Sequence, residues 1–136
     1  MADDLPSELR RFERGDFDPT RFPHGEHVRV AYGFLRRERF VEVLPRFARG
    51  IRTMAERAGK PEVYNETITT AFLALIAERL REYRGEDFAG FCAENPELFD
   101  KDALLTLYSR ERLHSPAARA TFLLPSPHDR LERGPR

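Results

Sequence analysis

The sequence predicts an all-α protein, a single-domain compact helical bundle of about five to seven helices. Three observations carry that expectation. Apolar residues recur every three or four positions, prolines and glycines stand where such runs begin and end, and no β-branched alternation long enough for a strand occurs. With 136 residues and 40% hydrophobic content, the chain can build one core of ordinary domain size and not two.

Leu5, Leu9 and Phe12 fall at helical spacing, with Pro6 near the start and Gly15 as a stop, which predicts a short first helix. Asp16 to Pro23 reads as an extended loop. From about Pro23, a second helix sets His24, His27, Val28, Ala31, Phe34 and Leu35 on one face and turns Arg29, Arg36, Arg37 and Arg39 outward. Its inner face is therefore apolar at the C-terminal end and imidazole at the N-terminal end. A third helix, from about Val41 to Ala58, carries Val41, Leu44, Phe47, Ala48, Ile51, Met54, Ala55 and Ala58 inward, with Gly59 as its stop. Pro45 conflicts with that helix, because an interior proline removes a backbone donor.

A fourth helix begins between Pro61 and Asn65 and ends near Tyr83-Arg84-Gly85. Its middle, Ala71 to Ala77, is apolar on every side, which predicts the central and most buried element. Shorter pieces follow: a helix around Glu86 to Ala93, a turn at Asn95-Pro96, and a helix from about Lys101 to Tyr108 capped by Asp100. Ser115-Pro116 pairs a cap with a proline at the first helical position, so a last helix is expected over Pro116 to Phe122. The domain is thus expected to span 1–124. The remainder, 125–136, including His128, has nothing to bury and reads as a disordered tail.

Composition narrows the function. Lys and Arg number 23, as do Asp and Glu, so the formal net charge is zero and the cationic surplus of a general nucleic-acid binder is missing. The longest apolar stretch, Ala71 to Ala77, falls well short of the roughly 20 residues needed to cross a bilayer. The acidic start Met1-Ala2-Asp3-Asp4 lacks the basic and apolar regions of an export signal, and the lone Cys92 suits a reducing cytoplasm as a small core residue. Together these readings predict a cytoplasmic protein without nucleic-acid or membrane partners.

One polar cluster stands out. His24 and His27, three residues apart, share a helix face and lie close enough to hold one metal ion. Glu66, opening the fourth helix, is the most economical third ligand, and two imidazoles with one carboxylate form the facial arrangement of non-haem iron enzymes and of some zinc hydrolases. Under that reading Asn65 is a weak ligand or orients a neighbour, and Tyr64 or Tyr108 faces a small-molecule substrate. Iron or zinc suits the set, and copper is compatible with it. The protein would then be a metal-dependent oxidoreductase or hydrolase, or a degenerate relative of one. Tyr108, as a proton donor, and His114, as a further ligand, could close the site from the C-terminal side, and Arg119 is a candidate carboxylate anchor. The alternative is a non-catalytic helical module that binds a ligand or partner, its histidines, Asn65 and Glu66 forming a buried hydrogen-bond network that fixes the packing. Glu26, between the histidines, does not make the zinc-protease helix motif, since its order and spacing are wrong. No nucleophile elbow, phosphate loop, paired-cysteine motif or dinucleotide fingerprint occurs.

The segments Phe22-Pro23-His24-Gly25-Glu26-His27-Val28, Tyr64-Asn65-Glu66-Thr67-Ile68-Thr69 and Asn95-Pro96-Glu97-Leu98 extend the pattern, as does Tyr108-Ser109 through Leu113, Ser115, Ala118-Arg119 and Phe122 to Pro125. Together they resemble the signature of an uncharacterised family of small all-helical bacterial proteins, H-x-x-H followed by Y-H-E-T and a terminal Tyr-Ser segment, over roughly Leu9 to Pro125. The resemblance implies a shared site at His24, His27, Tyr64 and Glu66. The family usually has histidine where this chain has Asn65. If that histidine ligates a metal in relatives, the site here is altered; if it orients a neighbour, Asn65 can still do so by hydrogen bonding.

Overall fold

The computed structural model describes residues 5–17, 24–100 and 102–125, and every regular element in them is helical. Seven α-helices occur among the described residues: α1 (Leu5–Glu13), α2 (His24–Arg37), α3 (Phe40–Arg57), α4 (Glu66–Glu82), α5 (Phe88–Glu94), α6 (Arg110–Leu113) and α7 (Pro116–Ala120). Three short 3-10 turns, Pro61–Val63, Pro96–Phe99 and Ala103–Thr106, connect them. The all-α expectation holds. Most of the loop expected at Asp16 to Pro23, and all but Pro125 of the tail expected over 125–136, His128 included, lie outside the described residues.

The packing centres on α2, α3 and α4. Phe12, fully buried, leaves α1 to stack on Phe47 of α3, ring centroids 5.5 Å apart, and meets Phe34 of α2 edge-on at 6.1 Å. The α1–α3 approach depends on a missing side chain: a Cβ on Gly50 would stand 2.8 Å from the Phe12 carbonyl oxygen and would run into the Phe12 ring. Gly15 ends the α1 segment at φ 69°, a left-handed conformation that glycine adopts without steric cost.

The expected single stripe on α2 is too narrow. Val28, Val30, Ala31, Tyr32, Gly33 and Phe34 are all buried, because α2 is enclosed by α1, α3, α4 and the Pro96–Phe99 turn. Arg29, expected to face outward, is half-buried between Glu8 of α1 at 2.7 Å and Glu26 at 2.9 Å. On α3 the inward row is Val43, Phe47, Gly50 and Met54, while Val41, expected inside, is exposed. Ala58, also expected inside, is exposed as well. Pro45 is tolerated because it and Val41, four residues earlier, both face water, which can hydrate the carbonyl left without its helical donor.

α4 is central, as its all-round apolar middle predicts, and packs on α2, α3 and α7. Toward the C-terminus the sequence reading is less accurate. The helix expected over Lys101 to Tyr108 is a 3-10 turn, Ala103–Thr106, and Asp100 caps no α-helix but accepts from the Asp102 amide at 2.9 Å. α6, unexpected from periodicity, is a single turn started by Ser109, whose hydroxyl accepts from the Arg112 amide at 3.0 Å. The Ser115 cap on α7 is as expected, accepting from Ala118 at 3.1 Å, although the helix stops at Ala120. No helix of the described residues is long and apolar enough to cross a membrane.

Candidate functional site

α2 opens at His24, and the three-residue spacing to His27 sets both imidazoles on the side that faces α3 and α4. Their ring centroids are 6.3 Å apart. Both line a cavity of about 600 Å³. Phe47, Ile51 and Met54 of α3 and Ile68 and Phe72 of α4 supply its apolar walls. Tyr64, Asn65, Thr69, Asp102, Arg110 and His114 add polar groups to the lining.

His24 is held on two sides. Its Nε2 lies 2.9 Å from the carbonyl oxygen of Leu98, and its ring leans on Phe72 at 4.7 Å between centroids. A carbonyl oxygen can only accept, so His24 donates from Nε2–H, and in the neutral ring the lone pair resides on Nδ1. The carbonyl is well placed because Asn95 starts the Pro96–Phe99 turn with its amide donating to Phe91 O at 3.0 Å, and because the Leu98 side chain is fully buried. The segments carrying H-x-x-H and Asn-Pro-Glu-Leu therefore meet in space. His27 is more deeply placed: burial first, and the neighbouring His24 second, push its pKa down to about 4, so it is neutral near pH 7.

The Tyr64-Asn65-Glu66-Thr67 segment works mainly as a joint. Asn65 caps α4, its Oδ1 accepting from the Ile68 amide at 2.9 Å, and its Nδ2 donates to Leu113 O at 2.7 Å. Tyr64 donates to Glu66 Oε1 at 2.8 Å; burial, reinforced by that carboxylate, raises the phenol above its usual range. Thr67, fully buried, donates to Thr121 O at 2.7 Å and accepts from Leu123 N at 2.9 Å.

Of the residues singled out from sequence, the cavity brings together His24, His27, Tyr64, Asn65 and His114. Glu66 does not line it and is instead paired with Tyr64. Tyr108 does not line it either; it is buried, with its hydroxyl donating to Leu123 O at 2.7 Å. Arg119 is exposed and donates to His114 O at 3.0 Å. Among the described residues, no group of three or more His, Cys, Asp or Glu side chains is gathered to hold a metal ion. Sequence reasoning missed Asp102 and Arg110, which form a 3.5 Å ion pair in the lining, and the carbonyl of Leu98. No local signal marks these partners, since the contact from His24 to Leu98 spans 74 residues. Comparisons with protein-family models, with curated proteins and with solved structures return no match for this chain.

Proposed function

We propose that this protein is a helical binding module that takes a small, mainly apolar molecule between α2, α3 and α4, with the histidine pair as its polar contact. The observation that carries this reading is a cavity of about 600 Å³ in which apolar walls surround two imidazoles. Concave, mostly apolar sites with a few placed polar groups are the usual form of small-molecule sites. Asn65, Glu66 and Thr67 support the reading from behind, as a hydrogen-bonded joint that keeps the cavity wall in place. The lone Cys92 suits a reducing compartment, and we assign the protein to the cytoplasm on that basis.

Titration of the protein with 4-propylphenol, followed by amide NMR, tests the proposal. Saturable shifts are expected at Met54, Ile68, Thr69 and Phe72, and Ala55→Phe, which fills the cavity, should weaken them. Shifts scattered over the surface, or none, would remove the proposed function.

A second reading is a metal-dependent oxidoreductase or hydrolase with His24 and His27 as ligands. What favours it is the Nε2–H donation from His24 to a carbonyl, since metal-bound histidines commonly give their other N–H to such an acceptor. Glu66 would have to leave Tyr64 to join them. Elemental analysis of protein purified without an affinity tag decides between the two readings. Stoichiometric iron, zinc or copper that is lost in His27→Ala supports the enzyme.

A further inference from the structure

We infer that the ligand is an uncharged molecule with an apolar body and one hydroxyl group, an alcohol or phenol, whose O–H is accepted by Nδ1 of His24. The inference rests on the cavity being a binding site and adds the class of molecule and the residue that selects it.

Hydrogen-bond direction selects that class of molecule. His24 already donates from Nε2 to the Leu98 carbonyl at 2.9 Å, so in its neutral form the ring offers other molecules only a lone pair, on Nδ1. The Tyr64 hydroxyl hydrogen goes to Glu66 at 2.8 Å, so toward a ligand Tyr64 too can only accept. Asn65 is engaged through both ends of its amide, by Leu113 O and by the Ile68 amide. At His24 and Tyr64 the wall therefore presents acceptors, and the partner that suits them is a donor.

Charge points the same way. The fixed charges lining the cavity are Asp102 and Arg110, opposite in sign and 3.5 Å apart, so they leave no surplus to hold a carboxylate or an ammonium group. The remaining walls, Phe47, Ile51, Met54, Ile68 and Phe72, cannot replace the water that an ionic ligand would lose. A hydroxyl gives up less hydration than an ion and recovers it in one bond to imidazole.

Three probes of one shape separate the possibilities: 4-propylphenol, propylbenzene and 4-propylbenzoate, each titrated by calorimetry into the full chain. The phenol should bind about tenfold or more tightly than propylbenzene, the worth of one buried hydrogen bond, and the benzoate least. In long-range proton–nitrogen spectra of wild-type protein, the Nδ1 resonance of His24 should move with the phenol and stay still with propylbenzene. His24→Phe should bring the phenol down to the affinity of propylbenzene. Equal binding of phenol and propylbenzene, an unmoved Nδ1 signal, or tightest binding of the benzoate would overturn the inference while leaving a binding cavity. Failure of all three probes would remove the cavity's proposed function and the inference with it. If His24→Phe does not fold, the wild-type Nδ1 signal decides.

Discussion

A buried imidazole couples folding to pH. His27 titrates near pH 4 when folded and near 6.5 when exposed, so between those values the unfolded chain binds more protons. Its contribution is complete above pH 6.5 and is lost as the pH falls toward 4. At pH 5 the loss should be about 2 kcal/mol relative to pH 7.5. Urea midpoints at the two pH values, compared with those of His27→Gln, isolate it, and an equal fall in both proteins would refute the assignment. Tyr32 makes the opposite case: its hydroxyl is buried without a hydrogen-bond partner among the described residues, close to Phe88 and Phe91. Tyr32→Phe should leave stability unchanged or raise it by about 1 kcal/mol, measured by thermal melting. The residues of the site differ in how readable they were. His24 and His27 could be paired from sequence because three-residue spacing on a helix is a local property. That Glu66 accepts from Tyr64 and does not line the cavity with the histidines depends on the side-chain direction at a helix start, which residue types alone do not encode.

Elements here are joined by a few specific bonds, and the joints predict where damage would spread. The first turn of α4 is tied by Asn65 to Leu113 and by Thr67 to Thr121 and Leu123, and Tyr108 reaches the Leu123 carbonyl. Thr67→Val keeps the shape and deletes both of its bonds, so it should cost about 2 to 4 kcal/mol. Amide exchange should rise first in residues 108–123, and uniform acceleration over the whole chain would show that the tie is not local. Gly50→Ala pushes a methyl group into Phe12 and its carbonyl, so the α1–α3 contact should weaken by about 1 to 3 kcal/mol in chemical denaturation. The long helices were legible because each carries two or more turns of apolar periodicity. The segment from Asp100 to Leu113 was not, because its elements are single turns set by side-chain caps and by contacts with α4, and four residues cannot display a period.

At the scale of the molecule, an all-helical bundle around one phenylalanine-rich core was legible from composition and pattern together. The cavity was not, because it is a property of volumes left over when α2, α3 and α4 meet, and its polar members come from four separate stretches of chain. A larger side chain in that volume would add apolar contacts between the three helices. Ala55→Phe should therefore raise the melting temperature, by an amount worth about 1 kcal/mol, while weakening 4-propylphenol binding. A variant that becomes less stable and keeps its binding would contradict that account.

The long reach of the α4 joint also has a consequence for synthesis. Asn65 waits 48 residues for Leu113, and Thr67 waits 54 residues for Thr121. A nascent chain that has exposed α1 to α4 still has an unclasped wall beside its histidines. Only the stretch from Leu113 to Leu123, made after the first four helices, fastens it, so the wall closes in a step that follows the synthesis of α4.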